Sequence, residues 1–273
     1  MQEKQEVSII ISFYNNFRFL ELVLAGFERQ SFKNFEILIA DDGSNPGIIN
    51  KLNSYISISP LHIRHIWHED LGWRKNMILN KAIKESASNY IIFVDGDYIP
   101  HKHFVSEHFM NKEMNTILAG RRSNLSKFVS ERLTYNNVKK GSLECKFAII
   151  GFLFKSFIGG SHLENAIYFN NKNIRKRLNK KDKGVLGSNF SIFKKDILDV
   201  NGFDERYLKP AVGKDTDLEY RLRNAGKKVK TVKHLAIQYH LFHKKLERDK
   251  ANMEYLNQVI ENKTTFTPYG INK

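Results

Sequence analysis

Three apolar runs near the start of the chain end in polar or acidic side chains, and this pattern limits the fold more than any other feature. The runs occupy residues 7–12, 35–40 and 90–94, and stretches with helical spacing separate them. The side chains at their ends are Ser12 and Tyr14, Asp41 and Asp42, and Asp95 and Asp97. Strands that alternate with helices predict an α/β fold with a mostly parallel sheet, whose ligands bind beyond the carboxyl ends of the strands.

Charge and cysteine content restrict the partners and the compartment. The 273 residues carry a formal net charge of +15, which attracts nucleic acid, anionic lipid or phosphorylated small molecules. The single cysteine, Cys145, excludes an intrachain disulfide and a cysteine-based metal site. The polar N-terminus lacks an apolar signal core, and no apolar run approaches the length of a membrane span. We therefore expect a protein of the cytoplasmic side that is soluble or lies on a membrane.

Carboxylates and histidines at the predicted strand ends are candidates for metal and nucleotide binding. Asp95-Gly96-Asp97 suits a hard cation such as Mg²⁺ or Mn²⁺, although Asp-Gly is also common in simple turns. Asp42 can accept hydrogen bonds from a base or a ribose, or can cap a helix. His240 and His243 follow an apolar strand and are possible Mn²⁺ ligands. The histidines ranked below them are His101, His103 and His108.

Two further acids, Asp215 and Asp217, begin a predicted helix over residues 215–225. Taken alone, they favour helix capping, because carboxylates stabilise helix N-termini. The alternative makes one of them a general base that removes a proton from a hydroxyl group.

The motifs together, in this order along the chain, resemble family 2 glycosyltransferases with the GT-A fold. The resemblance covers about residues 7–243, with 121–184 poorly matched. It rests on five segments, which are Val7-Ser-Ile-Ile-Ile-Ser-Phe-Tyr14, Phe35-Glu-Ile-Leu-Ile-Ala-Asp-Asp-Gly-Ser44, His68-Glu-Asp-Leu-Gly-Trp-Arg-Lys-Asn76, Ile92-Phe-Val-Asp-Gly-Asp97 and a galactosyltransferase-like half that includes Gly187-Ser-Asn-Phe-Ser191, Asp215-Thr-Asp-Leu-Glu-Tyr-Arg-Leu222 and Tyr239-His-Leu-Phe-His243.

The resemblance implies an inverting, metal-dependent transfer of a sugar from a UDP-sugar to an acceptor hydroxyl of a glycan or lipid-linked glycan, in bacterial surface polysaccharide synthesis. It implies that Asp97, Asp95 and His240 bind Mn²⁺ or Mg²⁺, with His243 in reserve, and that Asp215 is the catalytic base. The implied nucleotide-binding residues are Ser12, Tyr14, Asp42, Asp70, Arg74 and Asp95. The implied acceptor-binding residues are Asn189, Lys214 and Asp217.

The resemblance also predicts one integrated catalytic domain with two halves. Residues 1–120 form the donor-binding half, and residues 121–273 form the acceptor-binding half. The second half carries a helical and loop insertion at about 121–184 and a C-terminal helix at about 244–262. Within the insertion, apolar residues 147–160 and basic residues 174–183 favour a core helix with a solvated linker, or a face that contacts a membrane or the acceptor.

One departure from the family pattern concerns the residues before the predicted base. The family often shows Trp-Gly-Gly-Glu-Asp there, whereas this chain has Pro210-Ala-Val-Gly-Lys-Asp215, so that Lys214 replaces an acid. We hypothesise that Lys214 lets the enzyme use an anionic acceptor.

Two other functions compete with a glycosyltransferase. A sugar-nucleotide nucleotidyltransferase would share the α/β core, but the chain lacks a Gly-rich basic loop near the first strand. A nucleic-acid-binding protein would explain the positive charge, but it leaves the strand-end carboxylates unexplained, since these repel phosphate. We therefore expect no nucleic-acid partner.

Overall fold

The computed structural model describes residues 5–145, 160–169, 171, 173–174, 177, 184–210, 213–244 and 251–272. The strands are β1 (Val7–Phe13), β2 (Phe35–Asp41), β3 (Ile63–Trp67), β4 (Tyr90–Asp95), β5 (Tyr98–Pro100), β6 (Thr116–Ala119), β7 (Arg121–Asn124), β8 (Asn189–Phe193), β9 (Lys228–Thr231) and β10 (Ile237–His240). The helices are α1 (Phe17–Glu28), α2 (Pro46–Ile58), α3 (Lys75–Glu85), α4 (Phe104–Met110), α5 (Lys127–Arg132), α6 (Tyr135–Lys139), α7 (Lys194–Asp199), α8 (Lys214–Asn224) and α9 (Ala251–Glu261). Short 3₁₀ turns lie at Ser142–Glu144 and Leu163–Ala166.

The central sheet has seven strands among the described residues, in the order β3-β2-β1-β4-β8-β6-β9. Strands β3, β2, β1 and β4 run parallel, whereas β8 runs antiparallel between β4 and β6. The carboxyl ends of the four parallel strands therefore lie at one edge of the sheet. The fold is α/β and its central sheet is mostly parallel, which confirms the predicted fold class.

The parallel strands are buried on both faces because helices cover each side of the sheet. Along β1, Ile9 and Ile11 pack into one apolar cluster, and Ile10 packs into a second cluster on the opposite face. This alternation follows from the two-residue period of a strand. It explains why the parallel strands are continuous apolar runs in the sequence.

The helices that follow β1 and β2 begin at asparagine caps. The Asn16 side chain accepts a hydrogen bond from Phe19 N, and the Asn45 side chain accepts one from Ile48 N just before Pro46. Helix α2 was not predicted from the sequence. Only Leu52 of this helix is fully buried, so the spacing of apolar residues along it gives a weak helical pattern.

A second sheet of three strands in the order β5-β10-β7 lies beside the central sheet. In its centre, His240 pairs with Tyr98 on β5 and with Asn124 on β7. The main chain links the two sheets, because Leu241 N donates to Asp97 O at 2.9 Å just beyond β4. The small sheet thus brings the end of β10 to the carboxyl edge of β4.

Parts of the predicted insertion and of the predicted C-terminal helix lie outside the described residues. These are 146–159, most of 172–183, and 245–250. Within the described residues, no helix combines the length and the apolar character that crossing a bilayer requires.

Candidate active site

Three nitrogen and oxygen ligand atoms meet where β10 passes the end of β4. The Asp97 Oδ2 atom lies 3.3 Å from His240 Nε2 and 3.0 Å from His243 Nε2. The two Nε2 atoms are 3.1 Å apart. Among the described residues, these three side chains form the group whose ligand atoms lie close enough together to share one metal ion.

The second nitrogen of each histidine ring fixes its protonation. His243 Nδ1 lies 2.8 Å from the Lys244 carbonyl oxygen, and His240 Nδ1 lies 3.1 Å from Asn124 Oδ1. Because both oxygens accept hydrogen bonds, each Nδ1 carries a proton, and each Nε2 faces Asp97. Two imidazole nitrogens and a carboxylate that face each other at these distances repel unless a proton or a metal cation lies between them. The donor set therefore fits a divalent metal ion of the Mn²⁺ type.

Electrostatics keep the Asp97 carboxylate ionised. Burial opposes ionisation, but hydrogen bonds and charge from His240 and His243 hold the pKa of Asp97 well below its ordinary value. The same contact with Asp97 raises the pKa of His243 above its usual 6.5, so in the absence of metal a proton binds at the place of the cation.

Asp95 lies next to this group and has different partners. Ser12, its register partner on β1, donates to Asp95 Oδ1 at 2.6 Å, and Lys75 donates to the same oxygen at 2.5 Å. Burial disfavours the charged carboxylate, but the charges of Lys75 and Lys214 lower the pKa of Asp95 below its ordinary value. In this structure Asp95 is thus bound by a serine and a lysine, while Asp97 faces the histidines.

A group of polar side chains, called here the donor pocket, lies at the ends of β2 and β3. The buried Asp42 carboxylate accepts from His68 Nε2 at 2.8 Å and from Arg74 N at 3.0 Å. Burial raises the pKa of Asp42 in spite of these hydrogen bonds. The neighbouring Tyr14 hydroxyl donates to Asp70 at 3.0 Å, and Tyr14 is half exposed. The residues predicted to hold a nucleotide therefore lie together at the carboxyl edge of the sheet.

Gly43 is required in this pocket for two reasons. Its φ of +92° lies in the left-handed region, and a Cβ atom there would lie 2.5 Å from Asp70 Cα. The preceding Asp41 is fully buried, where it accepts from Ser44 N at 2.9 Å and pairs with His65. Asp41 is thus structural, whereas Asp42 reaches the pocket.

The N-terminus of α8 supplies Lys214 and Asp215. The Asp215 carboxyl group packs directly on Gly187, where a Cβ atom would lie 2.2 Å from it. Lys214 Nζ lies 4.9 Å from the centre of the Trp73 ring. Burial and the charge of Lys75 lower the pKa of Lys214 to about 8. A tryptophan from the segment between β3 and α3 thus lies beside Lys214.

Comparison with known proteins identifies the family. The model of glycosyl transferase family 2 matches residues 8–199, which is well over half of the chain. The chain belongs to glycosyl transferase family 2.

One bacterial relative is the uncharacterized glycosyltransferase YfnE of Bacillus subtilis (strain 168). It is 25% identical to the family 2 chain over an alignment of 248 residues, and the match covers 81% of this chain and 61% of YfnE. The chain therefore spans less than two thirds of that relative.

Solved structures share the fold at low sequence identity. GalNAc-T7 with UDP, GalNAc and Mn²⁺ aligns with a TM-score of 0.65 at 13% identity, over 96% of this chain and 48% of that chain. TarS 1-349 of S. aureus in complex with UDP-GlcNAc aligns with a TM-score of 0.61 at 14% identity, over 95% of this chain and 66% of that chain. These matches show that the family 2 chain has the GT-A fold.

Two of the predicted acceptor-binding residues are buried in this structure. Asn189 is fully buried, donates to the Arg121 and Ala236 carbonyl oxygens, and accepts from His108. Asp217 is fully buried in an ion pair with Arg221 at 2.7 Å. Because neither side chain reaches the surface, neither offers an atom to an acceptor. The third predicted residue, Lys214, does lie at the site.

The lower-ranked histidines do not belong to the metal group, which consists of Asp97, His240 and His243. His108 is buried against Ser191, and burial lowers its pKa to about 4. His101 stacks on Tyr168, and His103 interacts with Ser31.

Four residues that contact the predicted site residues had no role in the sequence analysis. They are His68, Trp73, Lys75 and Asn124. The first three lie within the segment 68–76, which matches the family pattern and could have drawn attention to them. Asn124 has no such signal, because only the pairing of β7 with β10 places it beside His240.

Proposed function

We propose that this family 2 chain moves a hexose or an N-acetylhexosamine from a UDP-sugar to an acceptor hydroxyl, with inversion at the anomeric carbon. The observation that carries this proposal is the convergence of Asp97, His240 and His243 at the sheet edge, next to Asp95. A metal-type donor set beside polar side chains that can hold a nucleotide is what a sugar-nucleotide transferase requires.

The donor nucleotide would lie against Ser12, Tyr14, Asp42, Asp70 and Arg74. Asp42 already accepts two hydrogen bonds, from His68 and Arg74. A carboxylate has about four acceptor positions, so Asp42 can still accept from the N–H of a uracil base. Tyr14 is exposed enough to pack against a base.

The metal ion, Mn²⁺ or Mg²⁺, would be held by Asp97, His240 and His243, with Asp95 beside it. When bound, it neutralises charge on the departing diphosphate. Lys75 adds a fixed positive charge on the same side, because it binds Asp95 and also faces Asp97 and Asp215. These charges favour the separation of the sugar from UDP.

Asp215 would be the base of the transfer. The acceptor oxygen forms a bond to the anomeric carbon as the bond from that carbon to the diphosphate oxygen breaks, and the bonding electrons leave with UDP. The acceptor proton passes to the Asp215 carboxylate. Asp215 lies in the first turn of α8, and helix N-termini favour anionic side chains.

Metal-dependent binding and hydrolysis of sugar nucleotides test the proposal. We expect the wild-type protein to hydrolyse UDP-Gal, UDP-GalNAc, UDP-Glc or UDP-GlcNAc when Mn²⁺ is present. Hydrolysis should stop in EDTA, and the Asp97→Asn variant should not hydrolyse these donors. The product anomer, read by NMR before mutarotation, should be inverted relative to the donor. His103→Ala removes a histidine outside the metal group and should keep the activity. An affinity for UDP that changes neither in EDTA nor in the Asp97→Asn variant would contradict the proposal.

We further propose that the acceptor is a growing glycan or a lipid-linked glycan of a bacterial surface polysaccharide. The +15 charge supports a position on the cytoplasmic side with contact to anionic lipid at the inner face of the membrane. Sedimentation with vesicles that contain or lack phosphatidylglycerol tests this contact. Equal recovery with both kinds of vesicle would exclude an electrostatic membrane contact.

A further inference from the structure

A pair of lysines lies between the two ends of the proposed active site. Lys75 begins α3 and donates to Asp95, while Lys214 begins α8 next to Asp215. The two ammonium groups are near enough for the charge of Lys75 to disfavour a charge on Lys214. Placing two like charges together in a partly buried position is costly unless an anion offsets them.

Among the described residues, Lys75 has a carboxylate that accepts its hydrogen bond, whereas Lys214 has none. In the part of the chain that the structure describes, no carboxylate or carbonyl oxygen accepts a hydrogen bond from the Lys214 ammonium, whose close neighbour is the Trp73 ring. The indole N–H of Trp73 is likewise buried without an acceptor among the described residues. Two neighbouring donors thus lack an acceptor that a bound molecule could supply.

The position of Lys214 indicates which part of a substrate would supply that acceptor. Lys214 directly precedes Asp215 in the first turn of α8 and lies 4.9 Å from the Trp73 ring centre. Lys214 is therefore a neighbour of the proposed base, where the sugars would meet. The adjacent Trp73 ring offers a flat apolar surface of the kind on which sugar rings pack.

We propose that Lys214, supported by Lys75, binds a carboxylate or phosphate group carried by a substrate sugar. This inference rests on the proposed function and adds an acidic sugar as the substrate class. The anionic group belongs either to the transferred sugar, as in a uronic-acid donor, or to the acceptor sugar. Both sources use the same chemistry, in which an ammonium group donates to an oxyanion.

Binding of neutral and acidic donors separates the two sources. The variant is Lys214→Met, which keeps the length of the side chain and removes its charge, and Lys214→Arg is the charge-preserving companion. We expect Lys214→Met to leave the affinity for UDP with Mn²⁺ within about twofold of wild type. If the donor carries the charge, its affinity for UDP-glucuronate or UDP-galacturonate falls by about tenfold or more, as expected for a lost hydrogen bond to a charged group.

If the acceptor carries the charge, Lys214→Met changes the affinities for acidic and neutral donors by the same factor. The ratio of transfer to oligosaccharides that end in a uronic acid over transfer to neutral oligosaccharides then falls by about tenfold. Lys214→Arg should retain most of the wild-type preference in either case. Lys51→Met, an exposed residue on α2, controls for the loss of one positive charge.

Two results would overturn the inference. One is a Lys214→Met variant that loses UDP affinity as strongly as it loses affinity for any UDP-sugar, because the lysine would then bind the diphosphate. The other is an unchanged preference among acidic and neutral donors and acceptors. A wild-type protein that binds no UDP at all would instead contradict the proposed function, so the two failures are distinguishable. Circular dichroism of each variant shows whether the fold is retained.

Discussion

At the scale of single residues, the proposed metal site depends on side chains outside the proposed set of ligands. Asn124 accepts from His240 Nδ1 and donates to Ser161 Oγ at 2.7 Å, so its orientation is fixed from both sides. Tyr98 stacks on the His240 ring with centroids 4.4 Å apart. Together they set the tautomer and the plane of His240, which is how outer residues tune a metal ligand.

Replacing Asn124 should weaken the proposed metal site without removing a ligand. We expect Asn124→Leu to lower Mn²⁺ affinity by about 10–100-fold, since His240 then loses the acceptor that fixes its ring. Asn124→Asp keeps an acceptor for His240 and should retain the affinity. Isothermal titration with Mn²⁺ measures both. Equal losses for the two variants would indicate that the shape of Asn124, and not its hydrogen bond, matters.

The proposed metal site should also depend on pH in a defined direction. Asp97 raises the pKa of His243 above 6.5, so protonated His243 competes with the metal near and below neutral pH. We therefore expect Mn²⁺ affinity to rise between pH 6 and pH 8, with release of protons on binding. Titrations in buffers of different ionisation enthalpy measure this release. In His243→Gln the rise should be smaller, and a rise as steep as in wild type would contradict this explanation.

At the scale of secondary-structure elements, the predicted base depends on a close approach of two segments. Helix α8 lies over the residues before β8, and Gly187 leaves room for the Asp215 carboxyl group. No other residue type fits there without displacing Asp215. The sequence motif that contains Gly187 thus shapes the site through its backbone, while its asparagine, Asn189, is buried in the core.

Adding a methyl group at Gly187 should therefore impair transfer selectively. In Gly187→Ala, the new Cβ would lie 2.2 Å from the carboxyl group, so we expect Asp215 to move and kcat to fall by about tenfold or more. The affinity for UDP should change little. Gly47→Ala is the matched control, because a Cβ there meets only the Asn45 side-chain oxygen at 3.3 Å. Full activity in Gly187→Ala would show that Asp215 is not the base or that it relocates freely.

At the scale of the whole molecule, the C-terminal segment connects distant parts of the fold. Ile271 is buried in the apolar cluster that contains Ile10 and Phe93. Thr267 donates to Asp204 at 2.7 Å, and the Asp204 carbonyl oxygen accepts from Asn76 at the start of α3. The segment thus supports the helix that carries Lys75.

Truncating the Ile271 side chain should lower the stability of the fold more than it lowers the affinity for ligands. We expect Ile271→Ala to lower the free energy of unfolding by about 2–5 kcal/mol, the usual cost of a cavity at a buried isoleucine. Thermal unfolding measures this loss. Ile260→Ala on α9 is the control, because that side chain is 39% exposed and should cost much less. Equal losses in the two variants would show that Ile271 is not part of the core.

Much of the fold could be predicted because local pattern and burial agree. The continuous apolar runs of β1, β2 and β4 predict buried parallel strands, and the acids at their ends mark the ligand edge. Elements with weak patterns were missed, among them α2 and the short strands β5, β6 and β7. Strands of three or four residues carry too few alternations to be recognised, since packing against neighbours decides them.

The sequence by itself determined the α/β class, the carboxyl edge of the sheet and the identity of its acids, because these depend on periodicity along one strand. Only the tertiary structure decided which side chains meet. The pairing of β10 between β5 and β7 brings His240 and His243 to Asp97, and the approach of α8 places Lys214 on Trp73. It also buried Asn189 and Asp217, which the family resemblance implied for acceptor binding. Contacts between residues more than a hundred positions apart follow from packing in three dimensions, which no local pattern encodes.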